Sequence, residues 1–227
     1  MPRPRQALLS RDRIIEVAAA LIDAEGLAAL STRRLAAELG VRGPSLYNHF
    51  ATKDEILDAV ADSITSQVDI TVFATDDWRV ALRRWGRSYR EALAAHPHIV
   101  PFLAQGPGRR PPALAMADAV YGALVDAGWP AARATHIGAM MRYFVAGSAL
   151  GSFARGFVED PQLYAEQYPH LTQAHRLAEH QQSVDEGAFV LGLDALIDGL
   201  SHLYESVVGP LPPLPADTDP YYSKNLH

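Results

Sequence analysis

The chain has 227 residues, of which 48 % are hydrophobic and 20 % are charged, enough for one large domain or two small ones with a sizeable core. It contains no cysteine, which excludes disulfides, cysteine metal sites and a cysteine nucleophile. The net charge of −6 is unevenly distributed, because residues 1–53 carry +3 and the remainder carries −9. This pattern predicts a basic head that faces phosphate and an acidic body that does not. The alternative is that arginine is simply frequent in this composition.

The N-terminus lacks the apolar core of a signal peptide, and no apolar run approaches the ~20 residues that a membrane span requires. We therefore expect a cytoplasmic protein without a membrane partner.

A first amphipathic helix is predicted between Ser10, a candidate N-cap, and Gly26. Its apolar residues recur at helical spacing and form one stripe, made of Ile14, Ala18, Leu21 and Ile22. This helix provides the neighbour on which the next two short helices can pack.

Residues 30–50 predict two short helices joined by a tight turn. Gly40 follows the apolar stripe of the first helix, where a left-handed residue ends a helix at least cost. Pro44 suits the first turn of the second helix of this pair. Leu46 and Phe50 lie four residues apart, so they form an apolar side that can pack against the first helix of the pair. Together with the upstream helix this is a helix-turn-helix pattern, in which the second helix of the pair lies in a DNA major groove.

Helical periodicity continues through most of the remaining chain. Thr52 and Glu55 form a capping box that opens a helix to about residue 68. Further helices are predicted at residues 78–96, around 98–103 and at 113–127, with a Gly- and Pro-rich loop at 105–112.

Two long segments, residues 131–157 and 186–204, contain several internal glycines. Each such glycine costs about 0.5–1 kcal/mol relative to alanine, and close helix packing can offset that cost. The helices therefore belong either to a bundle shared between two chains or to a core pair within one chain. Between them, residues 159–183 are polar and predict a loop with a short helix.

No strand-like alternation occurs, so the predicted fold class is all-α, with a three-helix helix-turn-helix DNA-binding head and a larger helical-bundle domain for regulation and dimerisation. We predict a DNA-binding domain at residues 1–52, a ligand-binding and dimerisation domain at 53–207, and a flexible Pro-rich tail at 208–227.

Sequence motifs for catalysis or metal binding are not found. His170, His175 and His180 lie five residues apart, whereas helical metal ligands lie three or four apart, so we interpret them as solvated loop residues. We expect no catalytic residue, no metal site and no cofactor.

The segment LSTRRLAAELGVRGPSLYNHFATKDEILDAV resembles the DNA-binding domain of the tetracycline-repressor (TetR) family of bacterial transcriptional regulators. WRVALRRWGRSYREALAAH at residues 78–96 and AFVLGLDALIDGL at residues 188–200 are more faintly similar to the regulatory domain of its tetracycline-binding branch. The resemblance implies a homodimer that binds a palindromic double-stranded operator. It also implies that a small-molecule ligand weakens this binding.

Carried over onto this sequence, the resemblance assigns DNA contacts to three groups of residues. The first helix of the pair contributes Thr32 and Arg33. The recognition helix contributes its start, Arg42, Gly43, Pro44 and Ser45, and its exposed side, Tyr47, Asn48 and His49. Lys53 is the phosphate clamp of the next helix. Arginine can contact both acceptors of guanine, and hydroxyl groups and helix N-termini suit phosphate.

Two of the head's assignments stay open. His49 is alternatively a structural residue packed under the turn. Arg3 and Arg5 either follow a minor groove or are disordered.

The same resemblance implies an effector pocket in the body. Trp85 and Tyr89 fall at ligand-contact positions, and Leu103 replaces a metal-associated histidine, so a magnesium–tetracycline complex is not expected. The predicted pocket is aromatic and largely apolar and suits a flat or hydrophobic effector. Its predicted lining is Trp85, Tyr89, Leu103, Val120, Tyr121, Met140 and Phe144. For each of these residues the alternative is ordinary core packing.

We therefore predict a repressor that a small apolar or aromatic effector releases from its operator, by displacing the helix at residues 52–68 and changing the spacing of the two heads. The alternatives are a constitutive DNA-binding regulator, a partner-binding scaffold, and an all-α enzyme that uses His96 and His98.

Overall fold

The computed structural model describes residues 9–214, and within that range the chain is helical, with no β-strand. The predicted all-α fold class, with a helix-turn-helix head and a larger helical domain, is confirmed. The α-helices of the described range are α1 Arg11–Glu25, α2 Thr32–Glu38, α3 Gly43–Leu46, α4 Lys53–Thr65, α5 Val72–Thr75, α6 Trp78–Ala94, α7 Val100–Leu103, α8 Pro111–Asp126, α9 Ala131–Ser148, α10 Pro161–Gln167 and α11 Gln181–Val207. Over residues 9–214, no helix has the length and apolarity needed to cross a bilayer.

The chain forms two compact units. The first consists of the described residues up to Val68 together with Glu91–Ala115, and the second of Asp69–Arg90 together with the described residues from Met116 onward. The three-domain division with boundaries after residues 52 and 207 stays a prediction. Arg3 and Arg5 lie outside the described residues, as does the tail beyond residue 214.

Local capping determines where the helices of the head begin. The Oγ of Ser10 accepts from the N–H of Arg13 at 3.2 Å, and the Oγ of Ser31 accepts from the N–H of Arg34 at 3.1 Å. These bonds satisfy amide groups that have no partner inside the helix. At the other end of α1, Gly26 has φ 84°, as expected for the glycine that terminates the helix.

The apolar stripe of α1 is buried in the core of the first unit, where α1 packs against α2 and α4 and α2 packs against α3. The partners are also apolar and also buried: Leu35, Ala36, Leu46, Phe50, Ile56, Leu57 and Val60. Short helices such as α2 and α3 are marginal alone, so this shared core stabilises them.

In the second unit, α9 and α11 approach each other closely within one chain. A Cβ built on Gly192 of α11 would lie only 2.7 Å from the ring of Phe144 of α9. That ring also stacks on Phe189, with centroids 5.5 Å apart. Gly192 is therefore a glycine whose conformational cost is offset by packing inside the chain.

Arg83 of α6 also contacts α11, through ion pairs to Asp194 at 2.9 Å and to Asp198 at 3.1 Å. The two aspartates are four residues apart and so lie on the same side of α11.

The helix predicted at residues 131–157 is shorter than expected, because α9 ends at Ser148. A separate 3₁₀ turn follows at Phe153–Gly156, where the Oγ of Ser152 accepts from the N–H of Ala154 at 3.1 Å. This hydroxyl offers the backbone an alternative to continuing the helix. In the opposite sense, α11 starts at Gln181, five residues before the predicted start.

Candidate DNA-binding head and effector site

The turn between α2 and α3 has the geometry that the sequence predicts. Gly40 has φ 66°, and its N–H donates to the carbonyl of Ala37 at 3.2 Å. The N–H of Val41 then reaches back to the carbonyl of Ala36 at 3.0 Å. These bonds satisfy carbonyl groups at the end of α2 and direct the chain into α3.

The recognition segment, residues 42–49, presents a polar side to solvent while Leu46 is buried. Pro44 lies in the first turn of α3, where its missing N–H has little cost. Tyr47 is 57 % exposed, unusual for a tyrosine in a folded head. The predicted contacts of this segment have varied exposure: Arg42, Pro44, Tyr47 and Asn48 are exposed, and Gly43, Ser45 and His49 are partly buried. Their roles as DNA contacts stay predictions.

The two adjacent arginines of α2 differ in their contacts. Arg34 pairs with Glu25 at 2.8 Å and with Glu38 at 3.0 Å. Arg33 is exposed and forms no ion pair with any residue between 9 and 214. Its charge is therefore available for a phosphate or a base edge, whereas that of Arg34 is neutralised.

Lys53 is the first residue of α4, and the capping box predicted here is present with one change of donor. The Oγ1 of Thr52 accepts from the N–H of Glu55 at 3.1 Å. The Glu55 carboxylate accepts from the N–H of Ala51 at 2.8 Å, one residue before the position in the usual motif.

One residue of the first unit that sequence reasoning did not select is Arg11. Its guanidinium donates to the main-chain carbonyl of His49 and lies over the ring of Phe50. No local spacing signals a contact between residues 38 positions apart, so only the tertiary structure identifies it.

Among the predicted effector residues, Trp85 and Tyr89 form an aromatic pair on one side of α6, with ring centroids 5.6 Å apart. Phe73, which sequence reasoning missed, joins them at 6.1 Å from Trp85. The indole N–H of Trp85 is buried without a hydrogen-bond partner in the described part of the chain.

The other predicted effector residues are less uniform. Val120 is buried, Met140 and Phe144 are partly buried, and Tyr121 is exposed. Leu103 is buried in the first unit, whereas the other six predicted effector residues, Trp85 and Tyr89 included, belong to the second unit. Their roles as ligand contacts stay predictions.

The first unit also has an open cavity of about 610 Å³ with an acidic lining, and none of the predicted effector residues lines it. The lining includes Asp12, Glu16, Asp62 and His96. Burial raises the pKa of the Asp62 carboxyl above its usual value, and its Oδ1 has no partner among the described residues.

His96 and His98 both contact the C-terminal end of α1. The Nδ1 of His96 lies 2.8 Å from the carboxylate of Asp23. The Nδ1 of His98 lies 3.1 Å from the carbonyl of Ile22 and 2.9 Å from that of Asp23. Each histidine therefore has a partner at the C-terminal end of α1, a side-chain carboxylate for His96 and main-chain carbonyls for His98.

Metal-binding geometry is not evident between residues 9 and 214, where no group of three or more histidine and carboxylate side chains could hold an ion. His170 and His180 are exposed, and His175 is partly buried, with an Nδ1 that has no partner among the described residues.

Two family models match this chain. Residues 14–60 match the model of the bacterial regulatory proteins of the tetR family, and residues 74–204 match that of the tetracyclin repressor-like C-terminal domain. A transcriptional regulator of the helix-turn-helix type from Saccharopolyspora erythraea is 35 % identical over 141 residues, which are 62 % of this chain and 60 % of that protein. The class E tetracycline repressor of Escherichia coli is 30 % identical over 202 residues, which are 86 % of this chain and 92 % of the repressor.

Solved structures with the same architecture include regulators bound to ligand and to DNA. A possible TetR family regulator from Streptomyces coelicolor A3(2) has a TM-score of 0.70 at 28 % identity, over 86 % of this chain and all of that one. ActR from S. coelicolor in complex with actinorhodin has a TM-score of 0.65 at 30 % identity, over 86 % of this chain and 97 % of the ActR chain. BioQ with its double-stranded DNA operator has a TM-score of 0.59 at 26 % identity, over 86 % of this chain and 99 % of the BioQ chain. The chain therefore belongs to the TetR family of bacterial transcriptional regulators.

Proposed function

We propose that this protein is a transcriptional repressor that binds palindromic operator DNA as a homodimer and is released from it by a small apolar or aromatic effector. The observation that carries the proposal is the recognition segment, where Arg42, Tyr47 and Asn48 are exposed; the preceding helix α2 adds Arg33, an exposed cation without an ion pair in the described range. A helix-turn-helix head of this kind serves to insert its second helix into a major groove.

The DNA contacts that we propose divide into two kinds. Lys53 and the N-terminal residues of α2 and α3 suit phosphate groups, which position the head. Arg42, Tyr47 and Asn48 are the exposed side chains of the recognition segment that can reach base edges. The structure of BioQ with its operator supports a duplex as the partner of this chain.

The effector site that we propose is built on the aromatic group of Phe73, Trp85 and Tyr89. Family members are described with polycyclic ligands, namely ActR with actinorhodin and a variant of the Acinetobacter baumannii TetR with minocycline. The resemblance to the tetracycline-binding branch places Leu103 at the position of a metal-associated histidine, so we propose an effector that binds without a metal ion. The buried Trp85 N–H has no hydrogen-bond acceptor among the described residues. Because an unpaired buried donor costs about 1–3 kcal/mol, we propose that the effector carries an acceptor atom for it.

A homodimer is supported by apolar residues that α9 and α11 leave exposed. Tyr143 of α9 and Leu191 of α11 are each 72 % exposed. A Cβ built on Gly147, Gly187 or Gly199 would have no described atom within 4 Å apart from the adjacent residues and the nearby backbone of its own helix. A second chain can therefore approach these glycines closely. Exposed apolar groups of this kind mark association surfaces.

Release follows from the spacing of the two heads. A dimer binds two half-sites only if its recognition helices are about 34 Å apart or a multiple of this distance. Because α4 follows the head directly in the chain, an effector that displaces α4 changes this spacing. The coupling free energy expected for such a change is about 1–3 kcal/mol.

We further propose a cytoplasmic protein without catalytic activity. The relatives and solved structures reported above are regulators, and His96 and His98 are already engaged with α1.

The proposal is tested with the purified full-length protein and a random pool of DNA duplexes. We expect selection to recover a palindromic sequence and gel-shift assays to measure its affinity. Planar polycyclic compounds, minocycline and actinorhodin among them, are then titrated with and without Mg²⁺. Failure to select any duplex would contradict the DNA-binding function, and binding that no compound weakens would favour the constitutive regulator.

The Trp85→Phe variant tests the predicted acceptor. Loss of one hydrogen bond worth about 1 kcal/mol should raise the effector concentration for half-release roughly fivefold, without changing operator affinity. Trp129→Phe is the matched control, since the Trp129 indole N–H is equally buried and unpartnered in the described chain but packs against Trp78 and Tyr204. Equal effects of the two variants would contradict the assignment of Trp85.

A further inference from the structure

The first helix of the head contacts the end of the recognition segment through one side chain. Arg11, the first residue of α1, places its guanidinium carbon 3.9 Å from the centroid of the Phe50 ring. Its Nη1 also donates a hydrogen bond to the main-chain carbonyl of His49. A single guanidinium therefore engages two consecutive residues that directly follow Tyr47 and Asn48.

The recognition segment has few internal restraints of its own. α3 contains four residues, and no side chain caps its N-terminus. After it, the N–H groups of His49 and Phe50 both donate to the carbonyl of Leu46, at 2.9 and 3.0 Å. A helix this short is marginal in isolation, so contacts from other elements determine its direction.

The two residues that Arg11 touches are those that define where this segment ends. The Phe50 side chain is buried in the head core and anchors the segment from inside. The His49 carbonyl is at the C-terminal end of the turn, where carbonyl groups lack partners within the helix. Arg11 satisfies that carbonyl and covers the outer face of the anchor.

We propose that Arg11 is a positioning residue for DNA recognition, which holds the C-terminal end of the recognition segment against α1 and so orients Tyr47 and Asn48. This inference rests on the proposed DNA-binding function. Arg11 therefore acts through His49 and Phe50, and the salt dependence of binding separates this role from a phosphate contact made by its other N–H groups.

Arg13 provides a matched control on the same helix. It is exposed and pairs with Glu16 at 2.7 Å, and within the described range its side chain makes no hydrogen bond, ion pair or ring contact with the recognition segment. Arg11→Met and Arg13→Met therefore remove the same charge from neighbouring positions, and only the first removes the contact to His49 and Phe50.

The test compares these variants and Arg11→Lys by fluorescence anisotropy on the selected operator and on an unrelated duplex, over a range of salt concentrations. We expect Arg11→Met to weaken operator binding about tenfold, as the loss of a charge-assisted hydrogen bond and a cation–π contact implies. Binding to the unrelated duplex and the salt slope should match those of Arg13→Met. Arg11→Lys should recover only part of the affinity, because lysine lacks the planar fork of arginine.

A phosphate contact predicts a different result. Arg11→Met would then lower the salt slope by about 0.9 on both duplexes, and Arg11→Lys would restore it, which would overturn the inference. Amide NMR spectra of the free Arg11→Met protein give a readout independent of DNA, with changes expected at residues 47–51. Unchanged signals there would also overturn the inference, whereas a wild-type protein that selects no duplex would overturn the proposed function instead.

Discussion

At the scale of single residues, neighbouring side chains of one type have different roles because their partners differ. Arg33 and Arg34 are adjacent on α2, yet of the two only Arg34 is neutralised within the described chain, by Glu25 and Glu38. A cation already paired with a carboxylate releases fewer counterions from DNA than an unpaired one. Charge in the head therefore has to be assessed residue by residue.

Replacement of Arg33 by alanine should weaken operator binding and reduce the slope of log affinity against log salt by about 0.9, since one phosphate contact is lost. Measurement of binding over a series of salt concentrations gives this slope. Arg34→Ala is the control and should change it little. If the Arg33→Ala variant keeps the wild-type salt slope, Arg33 is not a phosphate contact in the DNA interface.

Asp69 illustrates a pH effect at the same scale. The Thr71 hydroxyl donates to its carboxylate at 2.6 Å and is the main cause that lowers the pKa of Asp69 below its usual value of 3.8. A lowered pKa in the folded state means that stability is present above the unfolded pKa and is lost as the pH falls through the folded value.

Thr71→Val should therefore raise the pKa of Asp69, as followed by its carboxyl ¹³C signal. The variant should be less stable than wild type at pH 7, and the difference should shrink as the pH falls below about 4. Thr75→Val, which removes a hydroxyl bonded to Asp76, should leave the Asp69 titration unchanged. An Asp69 titration that stays at its wild-type pKa in Thr71→Val would contradict this explanation.

At the scale of elements, the start of α4 matters because this helix directly follows the recognition segment. Two hydrogen bonds close its first turn: the Thr52 hydroxyl accepts from the N–H of Glu55, and the Glu55 carboxylate accepts from the N–H of Ala51. Such caps are local interactions that determine both the helix start and the direction of the incoming chain.

Thr52→Ala should lower the free energy of unfolding by about 1 kcal/mol, as measured by urea denaturation. Thr52→Ser retains the hydroxyl and should stay within a few tenths of a kcal/mol of wild type. If the serine variant is as unstable as the alanine variant, the hydroxyl cap is not the stabilising interaction.

The longer helices of the second unit depend on contacts between elements. Arg83 is almost completely buried and pairs with two aspartates on α11. The two aspartates are partly exposed, so the ion pairs extend from the buried guanidinium to the surface of α11. They link α6 to α11 in the same unit as the aromatic group of the proposed effector site.

At the scale of the whole molecule, repression requires two heads, since each operator half-site is read by one of them. We propose the faces of α9 and α11 that carry the exposed Tyr143 and Leu191 as the surfaces of that assembly. A twofold dimer would use the same residues of both chains.

Leu191→Asp should convert the dimer to a monomer, as measured by analytical ultracentrifugation, because a charge would be buried at the interface. Operator affinity should fall with it. Leu114→Asp is the matched control, because Leu114 of α8 is also an exposed leucine, with 46 % of its surface accessible. A dimeric Leu191→Asp protein would place the interface elsewhere.

The sequence by itself determined the parts of this protein whose physics is local. The caps at Ser10 and Thr52, the left-handed turn at Gly40 and the apolar stripe of α1 each depend on residues within a few positions of one another. Such spacing can be read directly from the chain.

Only the tertiary structure decided the contacts between distant residues. The bond of Arg11 to His49, the pairs of Arg83 with α11 and the packing of Phe144 on Gly192 join positions 38 to 115 residues apart. Periodicity identifies which face of a helix is buried, but which partner covers it depends on how the whole chain packs.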